Sequence, residues 1–535
     1  MDTAHRTPRA STLLSLLVLA LAQLGTSADN GAFSVATAEI MRTFGSSVAD
    51  VQMASTVYSL VAGTFMLASG LLGIVFGWIR IFRLGLVLAV AGEVVCTVSP
   101  SIGLLIWGGR MVVGLGASLI IPSVLGMVPM IFEGGRRKQA YGVIAASAAL
   151  ATIVPILFGI LIDAMGFRFT FGVLAVYFGA LLAGSTVLPR AEGLGAARFD
   201  VSGAVVASLG LFAVMCGLSR LSSWGVFEPL PAVPFTVAGI SPALPIVAVG
   251  VVLLACLMPL EAHMERAHGV AILPSSFRRN STVLAGLVAI ALPFFFMGAQ
   301  GLVATSYYQL VIGLGATQTA LLGIISGVPM LMLAMYVPRK FPQLDPWIVV
   351  RAGYLCLAVG CVCYAVGVRG ASFGPVLVVA TLLGGVGVGL VNSQANNIVA
   401  SAVPEREAQQ SGGVQGAARN LGLALGAAVM GSVLLVTVNR GMSARVAVEP
   451  GLGGNERAAL EEVVYTYESD EAFRARLEAV GVAGAPAEDL ARRNAEVRAD
   501  AASLAMGTVA VLAAAALLTT VRKRSEESGE PGGQA

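Results

Sequence analysis

Long apolar segments alternate with short polar gaps about fourteen times along this chain of 535 residues. A helix needs ~20 mostly apolar residues to cross ~30 Å of hydrocarbon, and it satisfies its own backbone hydrogen bonds there. The pattern therefore predicts an all-α polytopic membrane protein with fourteen membrane-spanning helices. The predicted spans are residues 13–38, 51–77, 84–99, 102–132, 140–162, 171–188, 201–218, 244–260, 283–311, 317–337, 347–368, 373–403, 412–438 and 501–521.

The first apolar run follows the basic segment Met1–Arg9, an order that also occurs in signal peptides. No small-residue cleavage site followed by a soluble chain comes after it. We therefore interpret it as a retained helix.

Basic residues cluster in alternate gaps between the predicted spans, whereas other short gaps, such as 99–103 and 313–319, carry none. The positive-inside rule places these clusters, and both termini, in the cytoplasm. The arginine-rich segment 439–499 is nevertheless predicted to lie outside, because long translocated loops follow the rule poorly. The clusters are Arg80 with Arg83, Arg136 to Lys138, Arg190 with Arg198, Arg278 with Arg279, Arg339 with Lys340, and Arg522 to Arg524.

Composition excludes several classes of protein. A hydrophobic fraction of 56%, a charged fraction of 12% and a mean hydropathy of +0.84 are atypical of a soluble domain. The net charge of +3 is spread over the loops, which argues against a nucleic-acid surface. The six cysteines fall inside predicted spans without metal-ligand spacing, and the chain has no ATP-binding motif. Arginine and alanine greatly outnumber lysine, a composition typical of a bacterium with high genomic GC content. For a polytopic membrane protein of a bacterium, this favours the plasma membrane.

A short motif recurs after the fourth and the twelfth predicted spans. Arg136, Gln139 and Gly142 have the same spacing as Arg406, Gln409 and Gly412. This indicates two related six-helix halves with two helices inserted between them, an arrangement that builds a central transport site in many transporters. The predicted divisions are a cytoplasmic N-terminus (1–12), an N-terminal half (13–190), the insertion (191–280), a C-terminal half (281–521) that includes the loop 439–499, and a cytoplasmic tail (522–535).

Within the fourth span, the segment Gly109–Ser118 resembles the R-x-x-x-G-x-G-A/S signature of helix four in the major facilitator superfamily. Asp29 and its neighbours resemble the helix-one signature of the fourteen-helix drug:proton antiporters. The stretches Gly384–Gly426 and Phe199–Gly203 are similar to helices twelve and thirteen, and to the start of helix seven, in that subfamily. The resemblance covers roughly residues 12–440 and 501–521.

The resemblance implies a monomeric antiporter that exports hydrophobic or amphipathic drugs or natural products by alternating access. Its partners would be the small-molecule substrate and the lipid bilayer, with no nucleic acid. The proton gradient would replace any cofactor or metal, and the protein would not be an enzyme. Asp29 would take up an external proton and Arg110 would modulate it. Gly114 and Gly116 would allow close helix packing.

Two motifs depart from the family pattern. In the turn between helices two and three, Gly70, Gly73 and Gly77 remain, but Ile74 and Val75 replace the usual Asp and Arg. That Asp belongs to a charge network that latches the two halves in the family, so we expect its loss to favour a cavity open to the cytoplasm. The helix-five antiporter motif is reduced to two residues, which favours a coupled importer as one alternative, whereas Ile74 and Val75 favour a transport-inactive binding protein as the other. The two residues that remain of the helix-five motif are Pro155 and Gly159.

Ionisable residues inside a bilayer are costly and therefore mark functional positions. Asp29 and Arg110 are the predicted proton-coupling residues, although a static buried pair is the alternative. Glu93 is predicted to lie near the outer surface, and Asp163 to form an interfacial pair with Arg168. No histidine falls inside a predicted span, so a histidine proton relay is not expected.

Aromatic, methionine and amide side chains predict the substrate cavity. Phe295, Met297 and Gln300 lie in the ninth span, and Asn392 and Asn396 in the twelfth. Such surfaces suit amphipathic ligands that bind adaptively. Lipid exposure of the aromatic residues and hydrogen bonding between helices are the alternatives. Spans nine to thirteen contain no acidic residue, which argues against a divalent-cation pump.

Overall fold

The computed structural model describes residues 9–527 apart from 47, 151–153, 190–199, 231–232, 269–270, 272, 315, 371–372, 405–410, 466 and 468–469. Within these residues, regular structure is helical except for one isolated bridge between Val237 and Ile240. The helices are α1 Arg9–Val35, α2 Thr37–Phe44, α3 Val48–Phe76, α4 Trp78–Val98, α5 Ile102–Leu104, α6 Met111–Ile131, α7 Gly134–Leu150, α8 Val154–Gly184, α9 Val201–Trp224, α10 Ala243–His268, α11 Ser275–Arg278, α12 Ser281–Leu310, α13 Ala316–Lys340, α14 Pro346–Gly367, α15 Pro375–Ser401, α16 Ser411–Val448, α17 Gly454–Glu461, α18 Asp470–Ala479 and α19 Ala485–Glu527.

The all-helical membrane architecture predicted from the sequence is confirmed. Thirteen segments among the described residues are long and apolar enough to cross a bilayer. The difference from the predicted fourteen arises at Gly166, where φ of 85° and ψ of 162° interrupt α8. Helix α8 therefore joins two helices that bend at this glycine, and it contains the end of the predicted fifth span and most of the sixth, 171–188. A positive φ is accessible to glycine at little cost, which explains the residue at this bend.

The predicted external loop 439–499 is largely helical. Helix α16 runs past the predicted end of its span to Val448, and α19 begins at Ala485, well before the predicted start at 501. The short helices α17 and α18 lie between them, where the sequence has two amphipathic patterns. Their apolar side chains Leu460, Phe473 and Leu477 join the hydrophobic core of the C-terminal half. This helical cap therefore extends the C-terminal half.

The helices pack as an N-terminal group, a C-terminal group and an inserted pair. Helices α4 and α6 pack together, and α3 packs against α6, whereas the strongest C-terminal contacts join α12 to α16 and α14 to α15. The inserted helices α9 and α10 pack against each other, and α9 also contacts α3 and α16. The insertion thus lies beside the line where the two groups meet.

The two groups contact each other on the side of the bundle that carries Arg136 to Lys138, Arg339 and Lys340, which we call the basic side. Lys138 donates a hydrogen bond to the Pro342 carbonyl at 3.3 Å, and Arg137 donates one to the Ser401 hydroxyl at 3.3 Å. Ala145, Ala146 and Ala334 form an apolar cluster across the same line. The expectation of a cavity open to the cytoplasm is therefore wrong for this conformation, given the orientation from the positive-inside rule, because the basic side is closed.

Glycines make this closure possible. A Cβ atom on Gly413 would lie 3.0 Å from the Gly70 Cα atom and 3.0 Å from the Met66 carbonyl oxygen. A Cβ atom on Gly412 would lie 2.5 Å from the Pro122 carbonyl oxygen. Helix α16 therefore touches the backbones of α3 and α6 directly. The second copy of the repeated motif begins at Arg406, outside the described residues, but its final glycine, Gly412, is one of these contacts.

Candidate functional site

Asp29 and Arg110 form a salt bridge inside the N-terminal group. The Arg110 Nη1 atom lies 2.6 Å from the Asp29 Oδ1 atom, and both side chains are 0% exposed. The guanidinium also stacks between two rings, with its central carbon 4.6 Å from the ring centroids of both Phe33 and Tyr58. Cation–π contacts of this kind stabilise a desolvated guanidinium by about 2 kcal/mol. The pair is thus held by two helices, α1 and α3, and by the segment that leads into α6.

The local sequence explains why Arg110 reaches this position. Residues Leu105–Arg110 form a π-helical turn directly before α6, and such turns often occur at functional sites. Gly109 faces the Cys96 sulfur so closely that a Cβ atom would clash, and Gly114 packs on the Tyr58 carbonyl oxygen at 2.7 Å from its hypothetical Cβ. Small residues therefore let the segment approach both α3 and α4.

Glu93 is the third ionisable member of this cluster. Its side chain on α4 is 0% exposed and interacts electrostatically with both Asp29 and Arg110. Glu93 lies five positions before the end of α4, and its side chain faces the buried pair. Its position near the outer surface stays a prediction, because it depends on the orientation of the chain in the membrane. Neither Glu93 carboxyl oxygen has a hydrogen-bond partner among the described residues.

The cluster contains two carboxyl groups and one guanidinium. If both carboxyl groups were ionised, the site would hold a net negative charge without solvent, which is strongly unfavourable. Two carboxyl groups that share such a site oppose each other's ionisation, because their charges repel at short range. The arrangement is therefore suited to the proton coupling that the sequence predicts, and that role stays a prediction.

The other predicted charged contact is different in the structure. Asp163 is exposed, and Arg168 donates hydrogen bonds to the carbonyl oxygens of Thr97 and Ser99 at 3.0 and 2.7 Å. The predicted pair of Asp163 and Arg168 is therefore not formed. Arg168 instead ties α8 to the end of α4.

A cavity of about 180 Å³ lies among α12, α13 and α15. Met297 and Gln300 line it together with Phe296, Ser326 and Thr381. Its volume is below the ~300–1,000 Å³ typical of drug-sized ligand sites. A larger substrate therefore requires movement of the helices or of flexible side chains such as Met297. Phe295 lies outside this lining, and its carbonyl oxygen packs against Gly426 of α16.

The predicted amides of α15 lie closer to the basic side than this cavity. Asn392 and Asn396 are buried, and the Asn396 Oδ1 atom accepts a hydrogen bond from the Arg419 Nη2 atom at 2.8 Å. Arg419 was not among the predicted site residues. The sequence does single out Arg419, because it is a charged residue inside the predicted span 412–438 and this span contains no acidic residue.

The predicted packing residues lie at close helix contacts or turns. Gly73 faces the Trp78 ring, and a Cβ on Gly116 would lie 2.7 Å from the Gly85 carbonyl oxygen. Gly77 separates α3 from α4 with φ of 91°, which favours glycine. Gly159 faces Val35 of α1, and Pro155 lies in the first turn of α8. These positions serve packing, and their part in gating stays a prediction.

Residues 19–427 match the protein family described as the Major Facilitator Superfamily. The chain is 27% identical over 465 residues to the probable actinorhodin transporter of Streptomyces coelicolor, covering 83% of this chain and 76% of that protein. It is 26% identical over 460 residues to the tetracenomycin C resistance and export protein of Streptomyces glaucescens, covering 84% and 81%. The fold is similar to the crystal structure of the human organic anion transporter MFSD10 (TETRAN), with a TM-score of 0.55, 14% identity and coverage of 80% and 94%.

Proposed function

Since the chain belongs to the major facilitator superfamily, whose members are transporters and not enzymes, we propose that it is a proton-coupled exporter of hydrophobic or amphipathic antibiotics. It is a multi-pass bacterial membrane protein. We further propose that it belongs to the fourteen-helix drug:proton antiporters, with both termini in the cytoplasm. It would work as a monomer with the proton gradient as its only energy source.

The buried cluster of Asp29, Glu93 and Arg110 is the observation that carries this proposal. In an exporter, one carboxyl group takes a proton from outside and gives it up on the cytoplasmic side. The cluster lies toward the side opposite the basic one, because Asp29 comes six residues before the end of α1 and Glu93 five residues before the end of α4. Because Arg110 keeps its charge, its attraction to Asp29 is strongest when Asp29 is ionised, so gain or loss of a proton changes how tightly α1 and α6 are held together.

Transport would follow from movement of the two groups of helices about the line between them. Closure of the basic side corresponds to the state that releases substrate outward and accepts a proton. The cavity lined by Met297 and Gln300 would hold the substrate in this state. The names of the actinorhodin and tetracenomycin relatives suggest export of antibiotics as the activity.

Proton movement in reconstituted vesicles tests the direction of coupling. We expect that actinorhodin, tetracenomycin C or ethidium, added outside vesicles without a pH gradient, enters in exchange for protons and makes the lumen alkaline. A coupled importer would make the lumen acidic, and a transport-inactive binding protein would leave the pH unchanged. An acidic lumen, or an unchanged luminal pH with all three compounds, contradicts the proposal. A pH-sensitive dye inside the vesicles reports the direction of the pH change.

Glu93→Gln tests whether the second carboxyl group takes part. The amide has nearly the same shape but cannot hold or release a proton, so the remaining cluster is neutral with Asp29 ionised. We expect the number of protons released per bound substrate, measured with purified protein in weak buffer, to fall by about half or more. The exposed Glu133→Gln is the matched control. Unchanged release in a folded Glu93→Gln protein would limit proton exchange to Asp29.

A further inference from the structure

Arg419 is a buried cation on the line between the two groups of helices. It lies on α16, eight residues from the start, which corresponds to ~12 Å along the helix axis. Its side chain is 6% exposed, and its guanidinium carbon lies 5.4 Å from the Phe294 ring centroid. The adjacent Asn420 contacts Met66 of α3, which belongs to the other group. Arg419 is therefore placed where the groups separate when the basic side opens.

No carboxylate in the neighbouring helices balances this charge. Between residues 281 and 448 the acidic residues are Asp345, Glu405 and Glu407, of which Glu405 and Glu407 fall outside the described residues, and helices α12 to α16 as described contain none of the three. The Arg419 Nη2 atom donates its hydrogen bond to a neutral amide, and the Nε atom has no partner among the described residues. An unpaired buried cation costs several kcal/mol. Arg110, in contrast, has two carboxyl groups beside it.

Tyr141 brings a second unused donor from the opposite group. Its side chain on α7 is 0% exposed, and its hydroxyl has no partner among the described residues. It interacts electrostatically with both Arg419 and Arg137. The two halves of the protein thus direct a hydroxyl and a guanidinium, each with unused hydrogen-bonding capacity, to one region on the basic side.

We infer that Arg419 and Tyr141 bind the anionic group of the transported compound, so that the preferred substrates are organic acids with a carboxylate or an ionised phenol. This inference rests on the proposed transport function and specifies its substrate class. A guanidinium forms short, charge-assisted hydrogen bonds with such oxygens, often through two nitrogen atoms at once. The nearby Phe294 ring provides an apolar surface for the aromatic part of the compound. Entry from the cytoplasm would expose both donors before the compound moves to the cavity lined by Met297.

A purely structural role for Arg419 predicts different behaviour. In that case the residue would only hold Asn396, and a glutamine in its place could still donate a hydrogen bond. Arg419→Gln therefore removes the charge and keeps a donor, whereas Arg419→Lys keeps the charge and loses the planar fork. Only an anion site makes the loss of affinity depend on the charge of the compound.

Binding to purified protein without a proton gradient tests the inference. The probes are anthraquinone-2-carboxylate, anthracene-9-carboxylate and their uncharged methyl esters. We expect the wild type to bind each acid about tenfold or more tightly than its ester. Arg419→Gln should reduce the affinity for the acids to that for the esters, and Arg419→Lys should lie between. Arg339→Gln, an exposed arginine on the same side, is the matched control.

Equal affinity of the wild type for acids and esters would overturn the inference, and so would a folded Arg419→Gln protein that keeps the preference. This outcome is separable from failure of the proposed function. Binding requires no proton coupling, so Asp29→Asn should keep the preference for acids even when transport is lost. Substrate-driven proton exchange in vesicles together with equal binding of acids and esters would support the proposed exporter and exclude the anion site.

Discussion

Asp29→Asn is expected to abolish proton-driven accumulation of substrate while leaving a folded protein in the membrane. The amide matches the carboxylate in size, and its oxygen can still accept the hydrogen bond from Arg110 that spans 2.6 Å in the wild type. It cannot gain or lose a proton between the two membrane sides. Because coupling requires that cycle, we expect accumulation against a gradient to fall to the level of empty vesicles, a loss of about a hundredfold or more.

Three measurements distinguish this loss from misfolding. Size-exclusion behaviour and substrate binding should be retained, because the buried stack of Arg110 between Phe33 and Tyr58 stays in place. The exposed Asp163→Asn should transport like the wild type. Full accumulation by a folded Asp29→Asn protein would exclude Asp29 as the coupling residue and would leave Glu93 to be tested in its place.

The sequence predicts the helices well because the bilayer imposes a simple rule on them. A span of ~20 apolar residues has few alternatives in hydrocarbon, so nearly every predicted range finds its helix. The errors occur where hydropathy gives no information. Helix α8 runs through the predicted polar gap 163–170 with only a bend at Gly166, and the polar ends of α16 and α19 continue as helices outside the hydrocarbon.

The candidate site is only partly predictable for a related reason. The cost of burying charge singles out Asp29 and Arg110 from the sequence, but it does not show which way a side chain faces. Glu93 has the same cost whether it points to lipid headgroups or to Asp29, and only the packing of α4 against α6 decides between them. The same holds for Arg419. The sequence does not show which side chains surround its guanidinium, and only the packing of the helices shows that no carboxylate of the described helices lies beside it.

The altered turn between α3 and α4 shows how a change of motif can mislead. Ile74 and Val75 replace charged residues of the family pattern, so an ionic latch cannot form. In the structure both side chains pack against apolar neighbours, and Val75 is buried together with Leu71 and Ala204 of α9. The basic side is held closed by direct contacts of α16 with α3 and α6. Apolar packing and glycine contacts therefore hold this side closed without a charge network.

Gly413→Leu should open the basic side, because this closure depends on direct backbone contact. A Cβ atom at this position would already lie 3.0 Å from both the Gly70 Cα atom and the Met66 carbonyl oxygen, and a leucine adds three further carbon atoms. Overpacking of this kind costs roughly 1–3 kcal/mol, and the cost applies only to the closed state. The balance between closed and open states should therefore shift toward the open state by about tenfold or more.

Labelling of a buried cysteine measures this shift. In a protein without its native cysteines, Ala146→Cys lies in the apolar cluster between the two groups and should react slowly with a membrane-impermeant maleimide. Gly413→Leu should raise the rate about tenfold or more, and the smaller Gly413→Ala should raise it less. Gly179→Leu is the control, because a Cβ atom there meets nothing within 4 Å. Because the two substitutions at Gly413 differ in size alone, a rate that stays at the wild-type level in both folded variants would show that contacts other than those of α16 hold the basic side closed.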